Sequence, residues 1–375
     1  MPEAHRRPAM LVLLEPAGTV SSEPAGTPCA LQVARLALLL AGLLIGVLPG
    51  SPAGWLAASP VAADEFPIPQ IPWQPRGYVC QQTPGPIEID GVLEEAWDRA
   101  PWTEPFVDIE GSLKPLPYLN TRAKMLWDDD YFYVAAFLEQ PHVWATLRKR
   151  DSVIYHDDDF EVFIDPNGDT HEYYELEVNA LGTEWDLLLL KPYRDGAPAV
   201  DAWDIQGLQT GVAIHGTLND PHDRDEGWSI EIAFPWDVLE ECAHRPVPPG
   251  DGDLWRVNFS RVEWRKDVVG DGYVKAKDPA TGRAFPEHNW VWSPQGLIAM
   301  HYPEMWGYVE FRATDSSAVS PSAVSPSAVS PPAASPSAVS PSALASPATA
   351  LAPSPPEQDR HAFRLRQVYY KQKNH

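Results

Sequence analysis

The sequence is short of cysteine, of basic residues and of long apolar runs, and each shortage limits what the protein can be. Its 375 residues include only three cysteines, too few to define a disulfide framework. Its 28 lysines and arginines are outnumbered by 52 aspartates and glutamates, which gives a net charge of −24. Nucleic acids and anionic membranes would repel such a chain, so neither is expected as a partner. The charge fits an exported, soluble protein that could bind cations.

The longest apolar run, Leu36 to Val47, is too short to span a membrane comfortably. It follows Arg35 and precedes small residues that end at Ala63, which is typical of a secretory signal peptide. We therefore predict a signal peptide with an atypical N-terminal extension over residues 1–63, cleavage after Ala63, and a secreted or periplasmic protein without stable membrane insertion. An uncleaved anchor is the alternative. Cys80 and Cys242 remain after cleavage, and the sequence leaves open whether they form a disulfide.

Composition divides the remaining chain into three segments. Residues 64–313 carry the patterns of one folded domain. Residues 314–356 consist of Ser-Pro-Ser-Ala-Val repeats and their variants, which bury too little apolar surface to fold and predict a disordered linker. Residues 357–375 place Ala362, Leu365, Val368 and Tyr369 at helical spacing. They predict a short amphipathic helix that docks on some surface, the folded domain being one candidate.

Short alternating segments, punctuated by Gly, Pro and Asp, dominate residues 64–313. Helical patterns are brief, the best being Leu93 to Arg99 and Trp236 to Cys242. These features predict an all-β sandwich with few short helices. The clearest predicted strands are Thr121 to Trp127, Tyr131 to Leu138, Phe160 to Asp165, Tyr174 to Asn179, Trp228 to Phe234 and Trp255 to Trp264.

Two of these strands carry carboxylates on one face. Glu161 points away from the apolar residues of the first strand, and Glu177 and Asn179 point away from those of the second. If the strands are neighbours, Glu161 and Glu177 repel each other unless a cation such as Arg261 neutralises them. We interpret this face as half of a shallow, open ligand platform.

Several segments follow one another in a characteristic order, and they resemble the family 9 carbohydrate-binding modules over Gly85 to Phe311. The resemblance implies a DOMON-like, jelly-roll-like β-sandwich of two antiparallel sheets and a saccharide or polysaccharide as ligand. It also implies frequent attachment to xylanases and other glycoside hydrolases, and structural calcium in some members. The segments are Ile89 to Trp97, Trp127 to Val134, Phe160 to Asp165, Val178 with Asn179, Gly227 to Trp236, Asn258 to Glu263 and Trp290 to Tyr308.

Sugar-binding members of that family clamp a saccharide between two tryptophans above a glutamate, an arginine and an asparagine. The resemblance places the glutamate at Glu161 and the asparagine at Asn179. Tyr155 stands at or near the first tryptophan position, Met300 stands near the second, and Glu177 replaces the arginine. Because three of these positions depart from the pattern, the resemblance does not fix the sugar.

Sugar rings stack on aromatic side chains, and their hydroxyls bind planar polar groups. Most tryptophans, such as Trp97 and Trp228, are expected in the core. The predicted ligand-binding residues are Tyr155, Glu161, Glu177, Asn179, Arg261, Trp185, Trp264, Met300 and His301.

Calcium is the candidate cofactor, and no organic cofactor is predicted. Asp165, Asn167 and Asp169 alternate around a turn and offer the hard oxygen ligands that calcium prefers. Turns are rich in Asp and Asn without any metal, which is the competing interpretation.

The predicted function is non-catalytic saccharide binding, and two alternatives stay open. Glu161 and Glu177 could serve as the acid and base of a glycoside hydrolase. A haem-binding redox domain of the same architecture could use Met300 or Met305 together with His301 as iron ligands.

Overall fold

The computed structural model describes residues 67–314 and 352–373. The predicted signal peptide and residues 315–351 of the predicted linker lie outside these ranges. Within them, no helix has the length and apolar character needed to cross a membrane. The strands are β1 Gly77–Gln82, β2 Val107–Asp108, β3 Thr121–Trp127, β4 Tyr131–Glu139, β5 Asp159–Asp165, β6 Tyr173–Asn179, β7 Glu184–Leu189, β8 Ala199–Val200, β9 Gln209–His215, β10 Gly227–Pro235, β11 Leu254–Glu263, β12 Lys266–Val269, β13 Gly272–Lys275, β14 His288–Val291 and β15 Gly307–Arg312.

Helices are few in the described part of the chain. The two α-helices are α1 Trp236–Ala243 and α2 Glu357–Lys373. Short 3₁₀ turns occur at Glu95–Arg99, Gly111–Leu113, Ile154–His156, Tyr193–Asp195 and Pro303–Met305.

The strands form one curled, mixed sheet in the order β8-β7-β6-β5-β11-β15-β1-β3-β4-β10-β9. β14 pairs with β11 and with β2, and β12 and β13 form a separate hairpin. β1 runs parallel to both β15 and β3, while the other described strand pairs are antiparallel. The predicted all-β sandwich is confirmed, and its two layers are halves of this sheet joined through the parallel strand β1.

The core lies between the two halves and is rich in aromatic side chains. Phe160 of β5 stacks on Phe259 of β11 with ring centroids 5.7 Å apart, and Trp228 of β10 is fully buried on the opposite layer. Each large apolar side chain buried in this way contributes about 1.5–3 kcal/mol to folding. Cys80 and Cys242 are both buried free thiols, and they do not form a disulfide with each other.

Helix α2 packs on the same body through a different face from the one its apolar residues suggested. Phe363 stacks on Trp73 at 5.4 Å, Arg366 bonds to the buried carboxylate of Glu304, and Tyr370 is 1% exposed. The residues of the predicted apolar stripe, by contrast, face solvent, with Leu365 71% exposed and Val368 and Tyr369 also exposed. The spacing predicted a helix, but the face that docks is set by aromatic contacts of Phe363 and Tyr370 together with the ion pair of Arg366.

Candidate functional site

Strands β5, β6 and β7 place the predicted carboxylates on one face of the sheet. Glu161 pairs in register with Glu177, and Glu177 pairs with Trp185. Asp159 pairs with Asn179 one position further along the same face. Residues opposite each other in a sheet project from the same side, so the strand alternation had indicated this grouping correctly.

The face is not the open platform that the sequence suggested. Glu161 is 5% exposed and Glu177 only 2% exposed, and the 3₁₀ turn Ile154–His156 contacts Glu177. The backbone N–H of Tyr155 in that turn donates to Glu177 Oε2 at 2.9 Å. A saccharide cannot reach these carboxylates without first displacing the turn.

Burial changes how these carboxylates titrate. Desolvation raises the pKa of Glu161 to about 7, and the nearby Glu287 adds to the effect. Desolvation, followed by the charge of Glu161, raises the pKa of Asp159, Glu175 and Glu177 well above the usual range. We call Asp159, Glu161 and Glu177 the acidic cluster, since one oxygen from each lies within 4.8 Å of the others.

Three aromatic side chains, which we call the aromatic rim, stay accessible beside this cluster: Tyr155, Trp185 and Tyr193. Tyr155 is 38% exposed and Tyr193 45% exposed, while Trp185 is half-buried. The rings of Tyr155 and Trp185 have centroids 6.4 Å apart and planes inclined by 36°. Burial raises the pKa of Tyr193 to about 12, and the charges of Glu175 and Glu177 add to the rise.

The rim is held in place by hydrogen bonds from side chains around it. Trp185 Nε1 donates to Asp201 Oδ1 at 2.7 Å, and Trp264 Nε1 donates to the backbone carbonyl of Tyr155 at 2.9 Å. Trp264 itself is 9% exposed, and the ammonium of Lys275 lies 3.2 Å from its ring centroid. Trp264 was predicted as an aromatic wall for the ligand, but in the structure it supports the Tyr155 turn.

Met300 and His301 belong to the packing beneath the rim. Met300 joins an apolar cluster with Phe163 and Trp306 and is 8% exposed. His301 Nδ1 lies 3.0 Å from the hydroxyl of Tyr173, and desolvation, then the neighbouring arginine, lowers its pKa to about 3. The imidazole is therefore neutral, and its ring packs against Tyr193 at 4.4 Å.

Arg261 does not neutralise Glu161 or Glu177, so its predicted place in the site is wrong. Its register opposite Phe160 turns the side chain to the core face of β11, where it is fully buried. There it donates to Thr121 and forms an ion pair with Glu263 at 2.9 Å. The arginine and the acidic cluster thus occupy opposite faces of one sheet.

Asn179 lies beside the acidic cluster, but its amide is fully used by the protein. Its Nδ2 donates to the Leu147 carbonyl and to Asp157, and its Oδ1 accepts the N–H groups of Leu181 and Thr183. The side chain therefore closes the turn between β6 and β7.

The turn predicted to bind calcium uses its oxygens for its own hydrogen bonds. Asp165 accepts the N–H groups of Gly168 and Thr170, both at 2.8 Å. Asn167 Oδ1 accepts from Asp169 N, and Asp169 Oδ1 accepts from His171 N. Calcium at this turn stays a prediction, and its oxygens already have the partners expected of a metal-free turn.

Sequence reasoning missed Tyr193 as a member of the site and did not group Asp159 with Glu161 and Glu177. Tyr193 lies in a 3₁₀ turn, where no strand alternation marks its direction. Asp159 is the first residue of β5 and lies on the same face as Glu161. The predicted strand began at Phe160, and starting it one residue earlier would have included Asp159.

A β-sandwich with exposed aromatic side chains beside a polar sheet face is one of the architectures that can bind carbohydrates. The family described as "Carbohydrate family 9 binding domain-like" matches residues 89–281. The chain belongs to this family, and the recognition made from the sequence is confirmed.

The relatives are modules or longer enzymes. Exoglucanase XynX of Acetivibrio thermocellus is 31% identical over 148 residues, which are 40% of this chain and 11% of that protein. Endo-1,4-beta-xylanase A of Thermotoga maritima is 33% identical over 87 residues, 23% of this chain and 8% of that enzyme. The chain therefore spans about a tenth of these relatives. A solved family 9 module of Caldicellulosiruptor kristjanssonii in complex with cellotriose is 18% identical, with a TM-score of 0.42, and covers 66% of this chain and 99% of its own.

Proposed function

We propose that this chain is an exported, non-catalytic carbohydrate-binding protein that binds a saccharide across the aromatic rim. The observation that carries the proposal is the cluster of partly exposed rings, Tyr155, Trp185 and Tyr193, on a sandwich of a carbohydrate-binding family. The apolar faces of sugar rings stack on such side chains. Asp201, which accepts a hydrogen bond from Trp185, is a polar group at the edge of the rim that can also accept hydrogen bonds from sugar hydroxyls.

The names of the relatives suggest which saccharides to test first. An exoglucanase and an endo-1,4-beta-xylanase contain segments similar to this domain. Cello-oligosaccharides and xylo-oligosaccharides are therefore the first ligands that we propose for this chain.

The two alternative functions receive less support from the geometry. A glycosidic bond would have to enter between Glu161 and Glu177, yet both are almost completely buried. A haem iron would need free donor atoms on Met300 and His301, yet Met300 packs among apolar side chains and His301 bonds to Tyr173. Saccharide binding requires no such rearrangement of the interior.

Export is the second part of the proposal and is supported by the segment ending at Ala63. Mass spectrometry of the mature protein recovered from the periplasm or medium would test it. A mature N-terminus at Asp64 is the expected result, and an intact N-terminal segment on a membrane-bound protein would contradict it.

Calorimetric titration with cello- and xylo-oligosaccharides tests the binding proposal. Tyr155→Ala removes only the ring, because the bonds to Glu177 and from Trp264 involve the backbone of Tyr155. We expect at least about tenfold weaker binding, equivalent to about 1.4 kcal/mol, with little change in stability. Tyr369→Ala is the matched control, since Tyr369 is 41% exposed on α2. Equal affinities of wild type and Tyr155→Ala for a bound sugar would contradict the assignment.

A further inference from the structure

The acidic cluster brings three carboxyl groups together where water is excluded. Asp159, Glu161 and Glu177 each place an oxygen within 4.8 Å of the other two, and all three are at most 5% exposed. Ionising all three carboxyl groups at this separation costs much free energy, since little solvent lies between them to screen the charges.

Protein groups satisfy only part of the cluster. Val262 N donates to Asp159 Oδ1 at 3.2 Å, and Tyr155 N donates to Glu177 Oε2. Asp159 Oδ2 is buried and has no hydrogen-bond partner, although the whole side chain is 0% exposed. None of the ion pairs found within residues 67–314 and 352–373 includes any of the three. A buried carboxylate oxygen without a partner is rare in proteins, and a bound ion is one of the groups that satisfy it.

A second group of acidic residues shows the opposite situation. Asp186 and Asp204 lie close to Asp151, but Arg150 reaches into that group and pairs with Asp186 at 2.6 Å and with Asp204 at 3.4 Å. That group already contains its cation. The acidic cluster on β5 and β6 has the same charge and greater burial, but no cation of its own.

We propose that Asp159, Glu161 and Glu177 bind one divalent cation, with calcium as the ion that fits best. Carboxylate oxygens are hard ligands, and calcium accepts several of them in irregular geometry together with water. A sulfur or imidazole ligand, which zinc or copper would favour, does not belong to the cluster. One calcium ion would cancel most of the charge and give Asp159 Oδ2 its partner.

Such an ion would also fix the turn above it. Glu177 holds the backbone of Tyr155, so an ion that orders Glu177 stabilises the position of a rim residue. The cation site itself does not depend on saccharide binding, and its test needs no sugar.

Equilibrium dialysis with radioactive calcium at pH 7.5, on protein stripped with EDTA, gives the stoichiometry. We expect one ion per chain, and a higher melting temperature with calcium than with EDTA. Glu177→Gln should weaken calcium binding at least tenfold. Asp204→Asn, in the group occupied by Arg150, should change it by less than twofold.

Terbium titration provides an independent measurement if Glu177→Gln does not fold. Terbium bound in the cluster lies near Tyr155, so excitation of the wild-type aromatics should produce terbium emission that calcium then displaces. No bound calcium in dialysis, no sensitised terbium emission, or a loss of binding in Asp204→Asn equal to that in Glu177→Gln would each overturn the proposal.

Discussion

Replacing Glu161 with glutamine is expected to have opposite effects on stability with and without calcium. In the metal-free protein at pH 8, the variant should be more stable than wild type. With saturating calcium it should be less stable, because one ligand has lost its charge. A residue that merely packs would give the same sign in both conditions.

The magnitude follows from the burial of Glu161. Its pKa is raised from 4.5 to about 7, so the folded protein holds an extra proton between these two pH values. The free energy of unfolding therefore falls as the pH rises from about 4.5 to about 7, and the full cost of about 3 kcal/mol is present above pH 7. Glutamine removes up to this cost, which corresponds to a melting temperature roughly 6–12 °C higher in a domain of this size.

Thermal unfolding of both proteins from pH 5 to pH 8, in EDTA and in millimolar calcium, measures the effect. In EDTA the difference between variant and wild type should grow as the pH rises. A variant that is less stable than wild type in EDTA at pH 8 would refute the reasoning, because burial would then not penalise the charge of Glu161.

Three further changes test the packing. Lys266→Met removes the cation between Asp158 and Glu263 and should lower the free energy of unfolding by about 3–5 kcal/mol. Urea unfolding at pH 8 measures the loss, and a loss below about 1 kcal/mol would contradict the buried ion pairs of Lys266. Gly227→Ala should lower the free energy of unfolding by more than about 2 kcal/mol, since φ is +146° and a Cβ would lie 2.0 Å from the Leu138 carbonyl oxygen. An unchanged melting temperature would contradict this backbone conformation at Gly227. Phe363→Ala should speed amide exchange across α2 whereas Leu365→Ala should not, and equal exchange in both would mean that Phe363 does not anchor the helix.

The strands could be predicted because alternation is a local property. β3 runs from Thr121 to Trp127 as expected, and Glu161 and Glu177 share a face because a period of two fixes the direction of each side chain. The arrangement of these strands into a sandwich came from the family resemblance. The order of the strands in the sheet cannot be read from the pattern of any single strand.

Burial of the site could not be predicted, because it depends on contacts that are distant in sequence. The turn around Tyr155 covers Glu177, and Trp264 holds that turn from 109 residues away. Arg261, by contrast, was assigned to the wrong face although the alternation of β11 gives its direction. It lies two residues after Phe259 and therefore on the core face of that strand, where Glu263 pairs with it.

Hydroxyl-radical footprinting with a bound saccharide tests the location of the site most directly. A glycan array on the mature protein identifies the saccharide, and footprinting then compares tyrosine and tryptophan oxidation with and without it. Tyr155, Trp185 and Tyr193 should be protected together, while exposed Tyr118 and Tyr369 should not change. Protection of Tyr118 or Tyr369, with the aromatic rim oxidised as before, would place the saccharide elsewhere and contradict the proposed function.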